Sequence, residues 1–354
     1  MEFGLQFFPD VGPDEKSPRD YWGECLYLSE LADQLGMHHL RTVEHYFHRY
    51  GGYSPSPIVF LSAASQRTKQ IRLITGAVLP IFNHPLKIAG EIGMLDAISG
   101  GRLEVGLARA FLPHEFARFG RNMDESRVRF NEGVEQIRLL LEQENVTHKG
   151  QFYSFENITS LPRPTQKPRP PFWIATTASA ESQVYAAEGG HSIMTVPISP
   201  EVVRTNMARY REAFAKAGHK HKPCTMVAVH LYCDENDAKA RAYTEPMIDA
   251  YFDSMREANE GYVDVHSKDY PGYQHMLKAL REGTFETRLA EGAVWCGDPK
   301  HMIEQIESFD HAVGGVDYAS VQVNFHTMEL ARAEANLHLF AEEVMPHFAK
   351  QKVA

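Results

Sequence analysis

HPLKIAGEIGMLDAISGGRLEVGLARAF, residues 84–111, holds one complete helix–strand unit. Pro85 opens a helical pattern over 84–99, and the pair Gly100-Gly101 ends it, since glycine takes the backbone angles that close a helix. RLEVGLA, 102–108, then reads as a strand buried on both faces, the kind found in parallel sheets. The strand runs out at Gly106-Leu107-Ala108-Arg109, small residues followed by one cation.

The same alternation extends in both directions. Upstream lie EFGLQFF (2–8, strand), 18–36 (helix, Gly36 as cap), HHLRTVE (38–44, strand), 54–66 (helix) and IRLITGAVL (71–79, strand). Downstream, 124–142 is helical, with Phe130, Val134, Ile137 and Leu141 on one face. Residues 147–171 break the rhythm: THKGQFYSFENI reads as a hairpin and LPRPTQKPRPP as a proline-rich connector. PFWIATT resumes at once as a strand, so this is an excursion within one domain, 1–354. Then come 179–189 (helix), HSIMTVPI (strand), 200–217 (helix), CTMVAVHLYC (strand) and 235–256 (helix). A polar, irregular stretch, 257–292, precedes AVWCGDP, a helix near 299–310, the strand VDYASVQVNF and a last helix, 327–347. Counted as eight strand–helix units, the chain reads as α/β, a TIM barrel with insertions near 147–171 and 257–292. An open doubly wound sheet is the alternative.

At 354 residues, 43% hydrophobic and 23% charged, the chain has the composition of a globular protein with an ample core. Its net charge of −10 argues against nucleic acid or an anionic membrane as partner. Cys25, Cys224, Cys233 and Cys296 form no C-x-x-C pair, which fits a reducing compartment. MEFGLQFFPD lacks a basic start, and no window of about 18 apolar residues exists. A cytoplasmic protein is expected.

In a barrel, reactive groups sit at the C-terminal ends of strands. The second such end is TVEHYFHRYGGYSPSP, 42–57, which places His45 where proton transfer is useful. Glu44 either orients His45 or ends a buried strand. His48 completes an H-x-x-H, but no carboxylate set with ligand spacing accompanies it, so no metal is expected. The fifth strand turns through Thr176-Thr177-Ala178-Ser179 into a helix whose free N–H groups suit an anion. Arg109 and Arg127 stand near that turn, and two arginines with a helix N-terminus suit a phosphate dianion. Otherwise Ser179 caps its helix and both arginines make surface ion pairs. No G-x-G-x-x-G, P-loop or G-x-S-x-G elbow is present.

The order VEHYF, TGAVLP, the 84–111 block, ARFGRNMDESR and IATTAS resembles the bacterial luciferase-like flavin monooxygenase family. The likeness is densest over residues 1–200 and continues weakly through VWCGDP and LHLFAEEVMPHF. Its most specific part is LD-x-x-S-x-GR-x-x-x-G, Leu95 to Gly106. The resemblance implies a TIM-barrel enzyme that takes reduced FMN from a separate NAD(P)H:flavin reductase. It implies that dioxygen then forms a flavin hydroperoxide, which oxygenates an organic substrate. It places His45 at the active-site histidine, Arg109 and Arg127 at the phosphate, and Thr176, Thr177, Ser179 and Ala180 on the phosphate-binding turn. It further implies a non-proline cis peptide at Thr75–Gly76 or Gly76–Ala77 against the isoalloxazine. Ala108 stands where luciferase alpha chains carry a reactive cysteine, which lowers the expectation of light. Phe8, Tyr46, Phe47, Phe82 and Phe111 make an aromatic rim for an apolar or aromatic substrate or for the flavin. The 257–292 segment falls where the family has a mobile lid. The family pairs as dimers through helices that here carry Ala63, Ala64, Ala89, Gly90 and Gly93. The alternatives on the same fold are a deazaflavin-dependent dehydrogenase and a non-catalytic flavin-binding partner chain.

Overall fold

Six helices of this chain begin on a proline at the first turn: Pro18, Pro57, Pro85, Pro113, Pro200 and Pro299. Proline there loses no hydrogen bond and fixes the helical φ. Ser17, Ser56, Ser199 and Asp298 cap four of them, each accepting a backbone N–H from the first turn. Six of the strands thus hand over to their helices at a sharply specified residue.

A computed structural model describes residues 1–177 and 179–351. In chain order it runs β1 (Glu2–Phe7), α1 (Pro18–Gln34), β2 (His39–Thr42), α2 (Pro57–Arg67), β3 (Arg72–Thr75), α3 (Pro85–Ile98), β4 (Leu103–Leu107), α4 (Pro113–Arg118), α5 (Ser126–Glu142), β5 (Val146–Lys149), β6 (Ser154–Ile158) and β7 (Phe172–Ala175). It continues with α6 (Ala180–Glu188), β8 (Ser192–Thr195), α7 (Pro200–Ala217), β9 (Thr225–Cys233), α8 (Asp237–Asn259), α9 (Tyr273–Glu282), α10 (Phe285–Glu291), β10 (Val294–Gly297), α11 (Pro299–Val313), β11 (Tyr318–Gln322), α12 (Leu330–Leu339) and α13 (Met345–Gln351).

β1, β2, β3, β4, β7, β8, β9 and β11 pair in parallel and in a ring, β11 returning to β1. The sheet is a closed eight-stranded barrel, and the open-sheet alternative falls. The count of eight units needs correction. Among the described residues there are nine parallel strands, and β10 (in AVWCGDP) pairs there only with the second half of β9, residues His230–Cys233. At nine residues β9 is long enough to serve the barrel with one half and β10 with the other. The 257–292 stretch also differs from expectation. α8 reaches Asn259, and α9 and α10 follow; α9 hides Leu277 and Leu280 on one face of an otherwise polar helix.

The expected hairpin is β5–β6, antiparallel. The connector after it is tied to the barrel by the 95–106 motif. Buried Asp96 accepts Gln166 N at 2.9 Å and Gln166 Nε2 at 2.7 Å. Gly100 and Gly101 take φ of +66° and +81°, so the chain reverses into β4. Arg102 then reaches five acceptors: Ser99 O, Ile71 O, Ser65 O, Thr68 O and Thr68 Oγ1, all within 3.2 Å. One guanidinium satisfies the open C-terminal carbonyls of α2 and locks α2, α3 and β3 together.

Arg102→Met keeps the bulk and strands these carbonyls. The expected loss is about 2–3 kcal/mol of stability in urea unfolding, an unchanged midpoint being the contrary result.

Candidate active site

The chain leaves β2 at Thr42 and turns so that His45 faces inward, with 7% of its surface exposed. Its Nδ1 lies 3.0 Å from Glu115 Oε1. That carboxylate oxygen also accepts the Tyr46 N–H at 2.8 Å. A carboxylate accepts only, so Nδ1 carries the proton toward Glu115 and Nε2 is the basic nitrogen. Among the described residues Nε2 has no hydrogen bond. The ring lies among Phe8, Tyr50 and Phe111, at centroid distances of 5.4–5.7 Å. Gly51, at φ +80°, is required here: a Cβ would fall 2.5 Å from the His45 side chain.

Glu44 does not orient His45. It turns away and accepts Tyr46 Oη–H, Asn83 Nδ2–H and Leu79 N–H. Burial nevertheless lifts its carboxyl to about 7, against the pull of those donors. His48 accepts the Tyr50 N–H on Nδ1 and lies beside His114.

Arg109 and Arg127 both stand at the α5 N-terminus, and Arg127 also reaches the start of α6, the turn beside which both were placed from the sequence. Arg109 donates to Ser126 Oγ at 3.5 Å, and Arg127 donates to Ser179 Oγ at 3.4 Å and Glu181 Oε2 at 2.9 Å. Ser179 caps α6 by accepting Ser182 N–H, and Ala180 is its first residue. Thr176 is buried with Oγ1 unpartnered. Thr177 O accepts Asn206 Nδ2–H. An anion is already lodged at this place. Asp269 Oδ2 takes the Arg127 N–H at 3.0 Å and Ser126 Oγ–H at 3.2 Å, while Asp269 O takes both terminal nitrogens of Arg109 at 3.3 Å.

Asp269 arrives on the segment between α8 and α9, which straps the mouth. Tyr262 donates to Phe111 O and Tyr270 to Ala110 O at 2.7 Å, and Ser267 and Lys268 N–H bond Asp124. Arg109 lies over the Tyr270 ring at 4.8 Å.

Gly76–Ala77 is the cis peptide, the second of the two positions anticipated. Thr75 fixes its approach by exchanging two 2.8 Å bonds with Gly106. Ala108 donates its N–H to Val78 O and packs in the Leu79, Ile81, Phe116 and Tyr270 cluster. The rim aromatics divide in two. Phe8 joins Tyr50 and Tyr251 beside His45, whereas Tyr46, Phe47 and Phe82 gather around Phe119.

Sequence reasoning missed Glu115, Asp269 and Arg41. The signal for Glu115 was LPHEF, a short helix start with proline in its first turn, directly after Arg109. For Asp269 no local pattern exists, since its partners lie more than 140 residues away.

Residues 1–315 match the sequence model of the family described as luciferase-like monooxygenase. The oxygenase component of a flavin-dependent trigonelline monooxygenase from Acinetobacter baylyi is 28% identical, the match spanning 100% of this chain and 97% of that protein. A monooxygenase of Streptomyces bottropensis, RslO1, superposes at a TM-score of 0.89 with 40% identity, over 98% of this chain and 100% of that one. The oxygenating constituent of 3,6-diketocamphane monooxygenase from Pseudomonas putida, solved with FMN, shares the fold at a TM-score of 0.79 and 21% identity, over 98% of both chains.

Glu115→Leu removes the acceptor of two donors. The expected results are a loss of about 1–3 kcal/mol in stability and, in nitrogen-15 NMR, loss of the Nδ1–H tautomer of His45; an unchanged ring signal would contradict the pairing. Glu44 carries a pH dependence. Its folded pKa of about 7 lies above the ordinary 4.5, so its contribution is whole below about 4.5 and is lost as the pH rises through about 7. Wild type is expected to lose roughly 3 kcal/mol across that window relative to Glu44→Gln, which lacks the titration. Parallel urea curves at both ends of the window measure it.

Proposed function

The chain belongs to the luciferase-like monooxygenase family, and on that footing we propose that it is the oxygenase of a two-component system using reduced FMN and dioxygen on an apolar or aromatic substrate. The observation that carries the cofactor reading is the lodged carboxylate of Asp269. The Asp269 carboxylate is held by the Ser126 hydroxyl and the Arg127 backbone N–H at the start of α5, with the guanidinium of Arg109 on the Asp269 backbone carbonyl beside it and that of Arg127 turned to Ser179 and Glu181. The same donors suit a phosphate, with more charge to neutralise.

When bound, reduced flavin supplies the two electrons that activate dioxygen, one oxygen atom entering the product and the other leaving as water. The rest falls to the chain. Arg109, Arg127 and the amides at the starts of α5 and α6 bind the phosphate. Asp269 leaves those donors as the phosphate arrives, since two anions repel at one site. His45 holds or passes a proton at Nε2, and Glu115 sets which nitrogen that is. Phe8, Tyr50, Phe111 and Tyr251 give the substrate an apolar wall. The strap of Tyr262 and Tyr270 keeps water from the mouth.

The reduced cofactor comes from a separate reductase, in keeping with the missing dinucleotide fingerprint and with the relative named as an oxygenase component. Of the helices expected to pair in a homodimer, α2 and α3 expose Val59, Met94 and Ile98, which supports that assembly, whereas Ala64, Ala89 and Gly93 are buried within the chain. Among the described residues no helix is long and apolar enough to cross a membrane. A cytoplasmic setting agrees with four free cysteines, three of them buried.

The test is anaerobic titration with reduced FMN, followed by dioxygen labelled with oxygen-18 and a panel of aromatic and terpenoid substrates. One labelled atom in a product supports the reading; failure to bind reduced FMN, with binding of a deazaflavin instead, sinks it. In the same titration Arg109→Met is expected to weaken FMN about tenfold to a hundredfold. Asp269→Ala is expected to tighten it about threefold to tenfold, because no internal acid competes.

A further inference from the structure

Arg41 is a cation walled into the barrel with no carboxylate partner among the described residues. It is the third residue of β2 and 7% exposed. Nη1 donates to Gln6 Oε1 at 2.6 Å and Nη2 to Gly76 O at 3.0 Å, while Nε has no partner. Level with it on the two adjoining strands stand Gln6 and Ile74, neither of them charged. On β11 and β9 stand Gln322 and His230, paired with one another. Burial holds the His230 imidazole at about 4, hence uncharged. Gln322 Oε1, Ser320 Oγ and His230 Nε2 lack partners as well. Burial draws the Arg41 guanidinium down to about 10, still cationic near neutrality.

A buried, unpaired charge is costly, and an apolar side chain of similar volume is usually no worse for stability. The Gly76 carbonyl is one neutral acceptor and gives no reason for a full positive charge. Position supplies the reason. The Arg41 side chain lies flat on Gly76, where a Cβ would meet Nε at 2.1 Å and Cγ at 2.4 Å. The guanidinium therefore sits at the peptide bond against which the proposed flavin ring lies. It stands on β2, whereas the phosphate arginine Arg109 follows β4, so the two cations serve different parts of a ligand.

We propose that Arg41 is the counter-ion of the reduced flavin ring, which is an anion once its pyrimidine edge has lost a proton. This rests on the flavin reading above. Oxidised flavin is neutral in the ring, so Arg41 discriminates between the two redox forms while the phosphate donors treat them alike. A planar cation against a planar, delocalised anion is a favourable pairing, and charge near the ring is one of the means by which a protein tunes a flavin.

The full chain, as wild type, Arg41→Met and Arg41→Lys, is titrated anaerobically with oxidised FMN and with chemically reduced FMN. Arg41→Met is expected to lose about tenfold or more in affinity for reduced FMN, with oxidised FMN changed less than about threefold, and Arg41→Lys to recover most of the loss. Equal losses for both forms, or none, overturn the assignment. Wild type alone gives a second reading that needs no variant to fold. Below the pH at which free reduced flavin takes up its ring proton, the bound form is expected to keep the anionic absorption spectrum, and the neutral spectrum overturns the assignment. If wild type binds neither form of FMN, the cofactor reading itself fails and this inference with it.

Discussion

The pairing of Glu2–Leu5 with Tyr318–Val321 joins the first strand to the last and closes the barrel. Every parallel strand then ends at the same rim, and every charge placed after a strand end is brought to one mouth. His45 after β2, Arg109 after β4 and Thr176 after β7 are far apart in sequence but share that mouth for this reason alone. Closure also explains the cost of the site. The rim is ringed by apolar clusters, so each acid placed there must find donors or change its titration. Glu115 finds two N–H groups and keeps His45 in one tautomer. Glu44 finds three donors and is still driven upward by burial, because desolvation outweighs what those donors return.

The anion pocket illustrates the same balance at the surface. Two arginines and an exposed helix start would repel one another if left bare. The strap segment brings Asp269 to them, and Arg127 also takes Glu181. The chain thus supplies acceptors of its own to these donors. A pocket filled in this way is stable and dry, but its affinity for any incoming anion is reduced by whatever holds the strap down, here chiefly Tyr262, Ser267 and Tyr270.

Much of this was legible in the residues. Proline at helix starts, the Gly100-Gly101 stop and buried strand runs specify strand-to-helix units; strand ends pointed to His45 and Arg109, and a helix start to Arg127. Which strand stands outside the barrel was not legible, because one long strand, CTMVAVHLYC, pairs with β8, β11 and β10 and no periodicity reveals that. The helices α9 and α10 were hidden by polar sequence, since a helix lying over a mouth needs only a narrow apolar stripe. Asp269 was invisible for another reason: the partners of its carboxylate, Ser126 and Arg127, lie 143 and 142 residues away, whereas Glu115 left only the helix start LPHEF as its trace. Glu44 sits next to His45 in sequence, yet the backbone turn sends it to the opposite side.

Arg41 and Arg109 are two cations of the mouth, and they are treated differently. Arg109 lies where a strap can reach, so the chain lends it a carbonyl and covers it with a tyrosine ring. Arg41 lies inside the strand ring, where no loop enters, so its charge is left with two neutral acceptors and a bare Nε. Under the proposed reading this difference orders the loading of the cofactor. The phosphate must first displace Asp269 at the outer rim, an exchange of one anion for another that costs little. The ring then reaches Arg41, where nothing is displaced and an unpaired buried charge gains its partner. The outer site accepts either redox form, and the inner one makes the choice between them.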